Sequence, residues 1–170
     1  MTIMIKFLLL ALLVISPICA EKDLMKEECH NAQVPTICMQ CLESDPTSVH
    51  ADRVGIAEII IHCLDSRLDI ITNNITNILS LGGGTKEVRK ILEDCRNDTS
   101  TVAPKLLSEA KTGLKTGDYD KAAKSIEYAS IPHSCGLKQP SVEFEFLQLF
   151  SQISIYTQLS DAAMRIIDRF

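Results

Sequence analysis

The chain has 170 residues, of which 46% are hydrophobic and 5% aromatic, with no Trp and a formal charge of −5. That length and apolar content suit one domain with a core large enough to fold, and the acidic balance excludes a nucleic-acid binder. Abundant Leu, Ile and Ala with few aromatics favour helices over sheets.

The first twenty residues stand apart. Lys6 gives a short positive start, Phe7 to Ile15 is an apolar run, and Pro17 and the small Ala20 come next. This reads as a secretory signal peptide over residues 1–20, cut near Ala20. The run is too short, and broken too early by Pro17, to be a membrane anchor, so the mature chain has no membrane segment. Cleavage removes Lys6 and no acid, which moves the formal charge to about −6. It also removes Cys19 and leaves Cys29, Cys38, Cys41, Cys63, Cys95 and Cys135. An even count in an oxidising compartment argues for disulfides, with the pairing left open. Two N-glycosylation triplets, Asn74-Ile75-Thr76 and Asn97-Asp98-Thr99, fit a secreted chain.

Residues 21–50 read as a helical hairpin. Leu24 to Ala32 forms one short helix and Cys38 to Leu42 another, with Val34-Pro35 as the turn. Cys29 and Cys38 would staple it, since so short a segment has little apolar area of its own. Residues 51–170 read as a bundle. Its longest helix runs from Asp52 to Leu81, with a stripe at Ala57, Ile60, Ile61, Leu64, Leu68, Ile71, Ile75, Ile78 and Leu79. Asp52 suits the N-cap and Gly82-Gly83-Gly84 stops the helix. About 45 Å of helix with one apolar stripe needs partners along its whole length.

A second bundle helix spans Lys86 to Leu114, with Val88, Ile91, Leu92, Cys95, Val102, Leu106, Ala110 and Leu114 on its stripe. Pro104 predicts a kink or restart inside it. Gly117 then ends this helix and Asp118 caps the next. Tyr119 to Ala129 carries Ala122, Ala123, Ile126 and Ala129, and Ile131-Pro132 ends it. The last helix starts after Pro140, capped by Ser141, with Val142, Phe146, Leu149, Ile153, Tyr156, Ala163 and Ile167 inward. Ser160 falls where another apolar residue is expected. The fold class is all-α: an antiparallel four-helix bundle with an N-terminal disulfide-stapled helical hairpin.

No catalytic constellation appears. There is no nucleophile elbow, and Gly82-Gly83-Gly84 lacks the Lys-Ser/Thr of a phosphate loop. His30, His50, His62 and His133 lack metal-ligand spacing, so no metal or cofactor is implied. The acids are spread along solvated helix faces. Cys38-Met39-Gln40-Cys41 lacks the strand–helix context of a redox pair, which leaves each cysteine to a separate disulfide.

The order of these features resembles the plant invertase and pectin methylesterase inhibitor family over residues 24–170. The resemblance rests on Cys29 and Cys38 flanking Pro35, then Leu42-Glu43-Ser44-Asp45-Pro46, Ala51-Asp52 and Gly55-Ile56-Ala57. Further on come Leu92-Glu93-Asp94-Cys95, Cys135 forty residues later, Gly117-Asp118-Tyr119 and Leu159-Ser160-Asp161-Ala162. It implies a four-helix bundle with an N-terminal hairpin, no catalytic activity, and the pairs Cys29–Cys38 and Cys95–Cys135. Cys41 and Cys63 are left over: a third pair fixing the hairpin to the long helix and two free thiols both stay open.

Invertase inhibitors of that family often carry Pro-Lys-Phe where this chain has Tyr119-Asp120-Lys121. Esterase inhibitors often place an acid and an aromatic after the last cysteine, where this chain has Gly136-Leu137-Lys138. The resemblance implies a secreted monomeric inhibitor of a cell-wall enzyme, pectin methylesterase ahead of acid invertase, acting in the apoplast or the vacuole. Tyr119, Asp120 and Lys121, with Glu109 and Lys111, are the expected target contacts. A bundle of the same fold with no enzyme target is the competing expectation. A helical enzyme and a lipid carrier are weaker ones.

Overall fold

The longest helix is fixed at its start by Asp52, whose carboxylate accepts from the Gly55 amide at 2.8 Å. The computed structural model describes residues 24–130, 135 and 146–170. Among these, residues 24–30 form α1, and α2 is Pro35–Ser44. Arg53–Ser80 is α3, about 42 Å of helix. Then come α4 (Lys86–Asn97), α5 (Ala103–Thr116), α6 (Tyr119–Ala129) and α7 (Leu147–Ile167). The expected signal peptide, the helix end at Ile131-Pro132, His133, the segment Gly136-Leu137-Lys138 and the cap at Ser141 lie outside the described residues, as does Val142. The last helix begins at Leu147 with Phe146 as its N-cap, later than the expected start just after Pro140.

The fold is an all-helical bundle. One face of α3 packs on α7 and another on α4 and α5; α5 packs on α6, and α6 on α7, which closes the ring. The stripe from Ala57 to Leu79 is buried except for Ile78, which is half-buried. Ile56 and Ile59 are buried too, because α2 packs against α3 and α7. Tyr156 is fully buried and donates to the Ala129 carbonyl at 2.8 Å, tying α7 to the end of α6. Ser160 also lies inside, its hydroxyl satisfied by the Tyr156 carbonyl at 3.1 Å.

Two features depart from the periodicity. Asp98–Val102 is a π turn joining α4 to α5, with the Ala103 amide bonded to Asp98 O, five residues back. Pro104 explains the site: it has no N–H, and in an α-helix its ring would crowd the carbonyl four residues back. The extra residue rotates α5 relative to α4, so the inward stripe is Val88, Leu92, Cys95, Thr99, Ala103, Leu107, Ala110 and Leu114. Val102 and Ile91 are exposed and Leu106 is only partly buried, against expectation. Thr99 inside the turn accepts from the Thr72 hydroxyl of α3 at 2.8 Å and donates to Arg96 O.

The second departure is Glu28. Rather than lying on a solvated face, its side chain is fully buried between Arg53 at the start of α3 and Arg169 beyond α7. The hairpin also docks through the Gln33 amide on Asp161 at 2.9 Å. Three disulfides complete the frame: Cys29–Cys38 within the hairpin, Cys41–Cys63 between α2 and α3, and Cys95–Cys135. The two cysteines left open by the sequence are thus a pair.

Candidate functional site

The junction of α5 and α6 is built by backbone chemistry. Gly117 takes φ +75°, and its amide bonds to Leu114 O while that of Asp118 bonds to Gly113 O, the two bonds of a Schellman ending. Asp118 then turns round and caps α6, accepting from the Lys121 amide at 3.2 Å. The two helices cross closely because Gly113 has no side chain: a Cβ there would stand 2.8 Å from Asp118 O and 2.9 Å from Ala122 N.

On this turn the expected contact residues have different surroundings. Tyr119 is half-buried, its ring edge-on to Phe170 with centroids 4.9 Å apart. Asp120 and Lys121 are exposed in the first turn of α6. Lys111 is turned toward the bundle, where its ammonium pairs with Asp65 of α3. Glu109 is half-buried and, two positions from Lys111, points to a different side of α5. The structure therefore leaves Asp120 and Lys121 exposed at the start of α6, packs Tyr119 against Phe170, and holds Glu109 and Lys111 on α5.

Tyr128 of α6 is an exposed aromatic outside the expected contact set. It is 73% exposed, second only to Leu81 among the large hydrophobics of the described residues. Lys121, Lys124 and Tyr128 recur at helical spacing along the outside of α6, opposite the buried Ala122, Ile126 and Ala129. The signal was present: Tyr128 falls off the inward stripe of its own helix. The Asp and Lys residues of this face are ordinary for a solvated helix side, and Tyr128 is the residue of a type enriched at protein contacts.

The described residues offer little for chemistry. No group of His, Cys, Asp and Glu among them is placed to hold a metal ion. Asp45 is held below the usual carboxylate range by the hydroxyl and then the amide of Thr47, a local turn. Of the glycosylation triplets, Asn97 is exposed at the end of α4. Asn74 is half-buried on α3 beside Phe146 and Leu147. No described helix is long and apolar enough to cross a membrane.

No family model matches the chain. A curated relative, named pectinesterase inhibitor, from Actinidia deliciosa, is 29% identical over 119 residues, or 66% of this chain. The chain spans 63% of that relative's length. That relative is named as an inhibitor and not as an enzyme.

Proposed function

We propose that the chain is a secreted inhibitor that occludes the active-site cleft of a cell-wall carbohydrate enzyme, pectin methylesterase ahead of acid invertase. The observation that carries this reading is the likeness to the Actinidia deliciosa pectinesterase inhibitor. The geometry supports it: the α6 face of Asp120, Lys121, Lys124 and Tyr128 is exposed on a bundle braced by disulfides. A rigid face loses little conformational freedom on docking, and an exposed Tyr is a frequent anchor of binding energy. The net charge, about −6 once residues 1–20 are removed, favours a basic target. The protein acts as a monomer in this reading, and Asn97 is the better glycan acceptor because it is the more exposed.

The test uses mature, oxidised protein lacking residues 1–20, titrated against a pectin methylesterase and an acid invertase between about pH 5 and 7. Saturable inhibition of the esterase is expected. Inhibition of the invertase alone would move the target. A folded sample that leaves both enzymes fully active would overturn the inhibitor reading and leave a bundle put to another use.

A further inference from the structure

Helix α2 meets α3 and α7 along a cleft of about 440 Å³. The Cys41–Cys63 disulfide lines it, together with Ile59, Leu159, His62 and Arg67. The other two disulfides are sealed: Cys29 and Cys38 are each 1% exposed, and Cys95 and Cys135 each 2%. Cys63 is only half-buried. Exchange requires a thiolate to reach one sulfur of the bond, so access separates these three pairs.

We propose that Cys41–Cys63 is a thiol-exchange site, at which a low-molecular-weight thiol enters the cleft and is taken up as a mixed disulfide on Cys63. The external thiolate attacks Cys63 Sγ, on the more exposed residue of the pair. The Cys41–Cys63 bond breaks and its electron pair leaves on Cys41 Sγ, which takes a proton from solvent. The new thiol has an acceptor ready, since Cys41 Sγ lies 3.9 Å from the Ile59 carbonyl. A second small thiolate attacks its partner's sulfur in the mixed disulfide and frees Cys63. Two small thiols have then become one disulfide, and the protein has gained two electrons and two protons.

The structural consequence is local. Exchange cuts the covalent tie between α2 and α3. The hairpin stays docked through Glu28 with Arg53 and Arg169, and through Gln33 on Asp161. Helix α2 therefore loosens while the bundle persists.

The experiment exposes mature, oxidised protein to graded glutathione, traps free thiols by alkylation and maps all six cysteines by mass spectrometry. Glutathione on Cys63 and a free Cys41 are expected at about one tenth of the thiol concentration that opens either other pair. Amide exchange over Pro35–Ser44 is expected to rise at that point while α3 and α7 stay protected. Another pair opening first, or all three opening together, overturns the proposal. Selective opening with unchanged exchange over Pro35–Ser44 overturns the loosening. A double variant, Cys41→Ser with Cys63→Ser, is expected to take up no glutathione at the low concentration. If it does not fold, the mapping on the native protein decides alone.

Discussion

Glu28 and Arg169 lie 141 positions apart in the chain and form an ion pair in which the carboxylate is wholly buried. Arg53 meets its other oxygen at 2.8 Å, so one acid joins the hairpin, the start of α3 and the end of the chain. Glu28→Gln keeps the shape and leaves two guanidinium groups without their counter-charge. It is expected to cost about 3 kcal/mol in urea unfolding, because removing one member of a buried ionic cluster strands the others. Replacing all three residues by Met is expected to cost less than Glu28→Gln alone. The reverse order would show that the cluster stabilises the fold beyond satisfying its own charges.

Gly113 sets the spacing of α5 and α6. Gly113→Ala puts a methyl group 2.8 Å from Asp118 O and 3.1 Å from Ala122 Cβ, and two backbones must move apart. A loss of about 2 kcal/mol is expected by chemical denaturation. In an exposed helix interior the same change gains up to about 1 kcal/mol, so the sign alone identifies the close crossing.

Tyr156 makes stability fall in alkali. Burial first, and Asp65 second, push its hydroxyl above the ordinary value of 10.0. The folded state holds the neutral form, so this contribution is complete below about pH 10 and is lost as the pH rises through the folded value. Absorbance titration is expected to show one of the three tyrosines ionising only together with unfolding, seen by circular dichroism. Tyr156→Phe is expected to remove that step. It also costs about 1 kcal/mol at neutral pH through the lost bond to Ala129 O.

The contact face can be separated from the frame. Tyr128→Ala and the reversal Asp120→Lys are expected to weaken inhibition of the target about tenfold or more while the melting temperature stays within a few degrees. Lys111→Ala is expected to do the opposite: inhibition unchanged, and stability lowered by up to about 1 kcal/mol through the half-buried pair with Asp65. Loss of inhibition in Lys111→Ala with none in Tyr128→Ala would place the contact on α5.

Much of the frame was legible because caps and stripes are local. Asp52, Gly82, Gly117 and Asp118 act within a turn of where they stand, and the α3 stripe comes from helical spacing alone. The buried Glu28 was not legible, since its partners lie 25 and 141 positions away and nothing beside it in sequence marks it. The pairing of Lys111 with Asp65 was not legible either, since the two stand 46 positions apart on different helices. Pro104 announced a break but not its kind: a kink and an added residue leave the same local trace.

The π turn at Asp98–Val102 also bears on how this chain is compared with any other. It stores one surplus residue, and Val88, Leu92, Cys95 and Thr99 before it share an inward side with Ala103, Leu107, Ala110 and Leu114 after it. Set against a counterpart whose helix runs uninterrupted, this chain carries one position with no equivalent, and the gap belongs inside that turn. Opened instead at the glycine turn before α4 or at Gly117, it would misassign a whole helix by about 100° of rotation, and with it every inference about which residues face a partner.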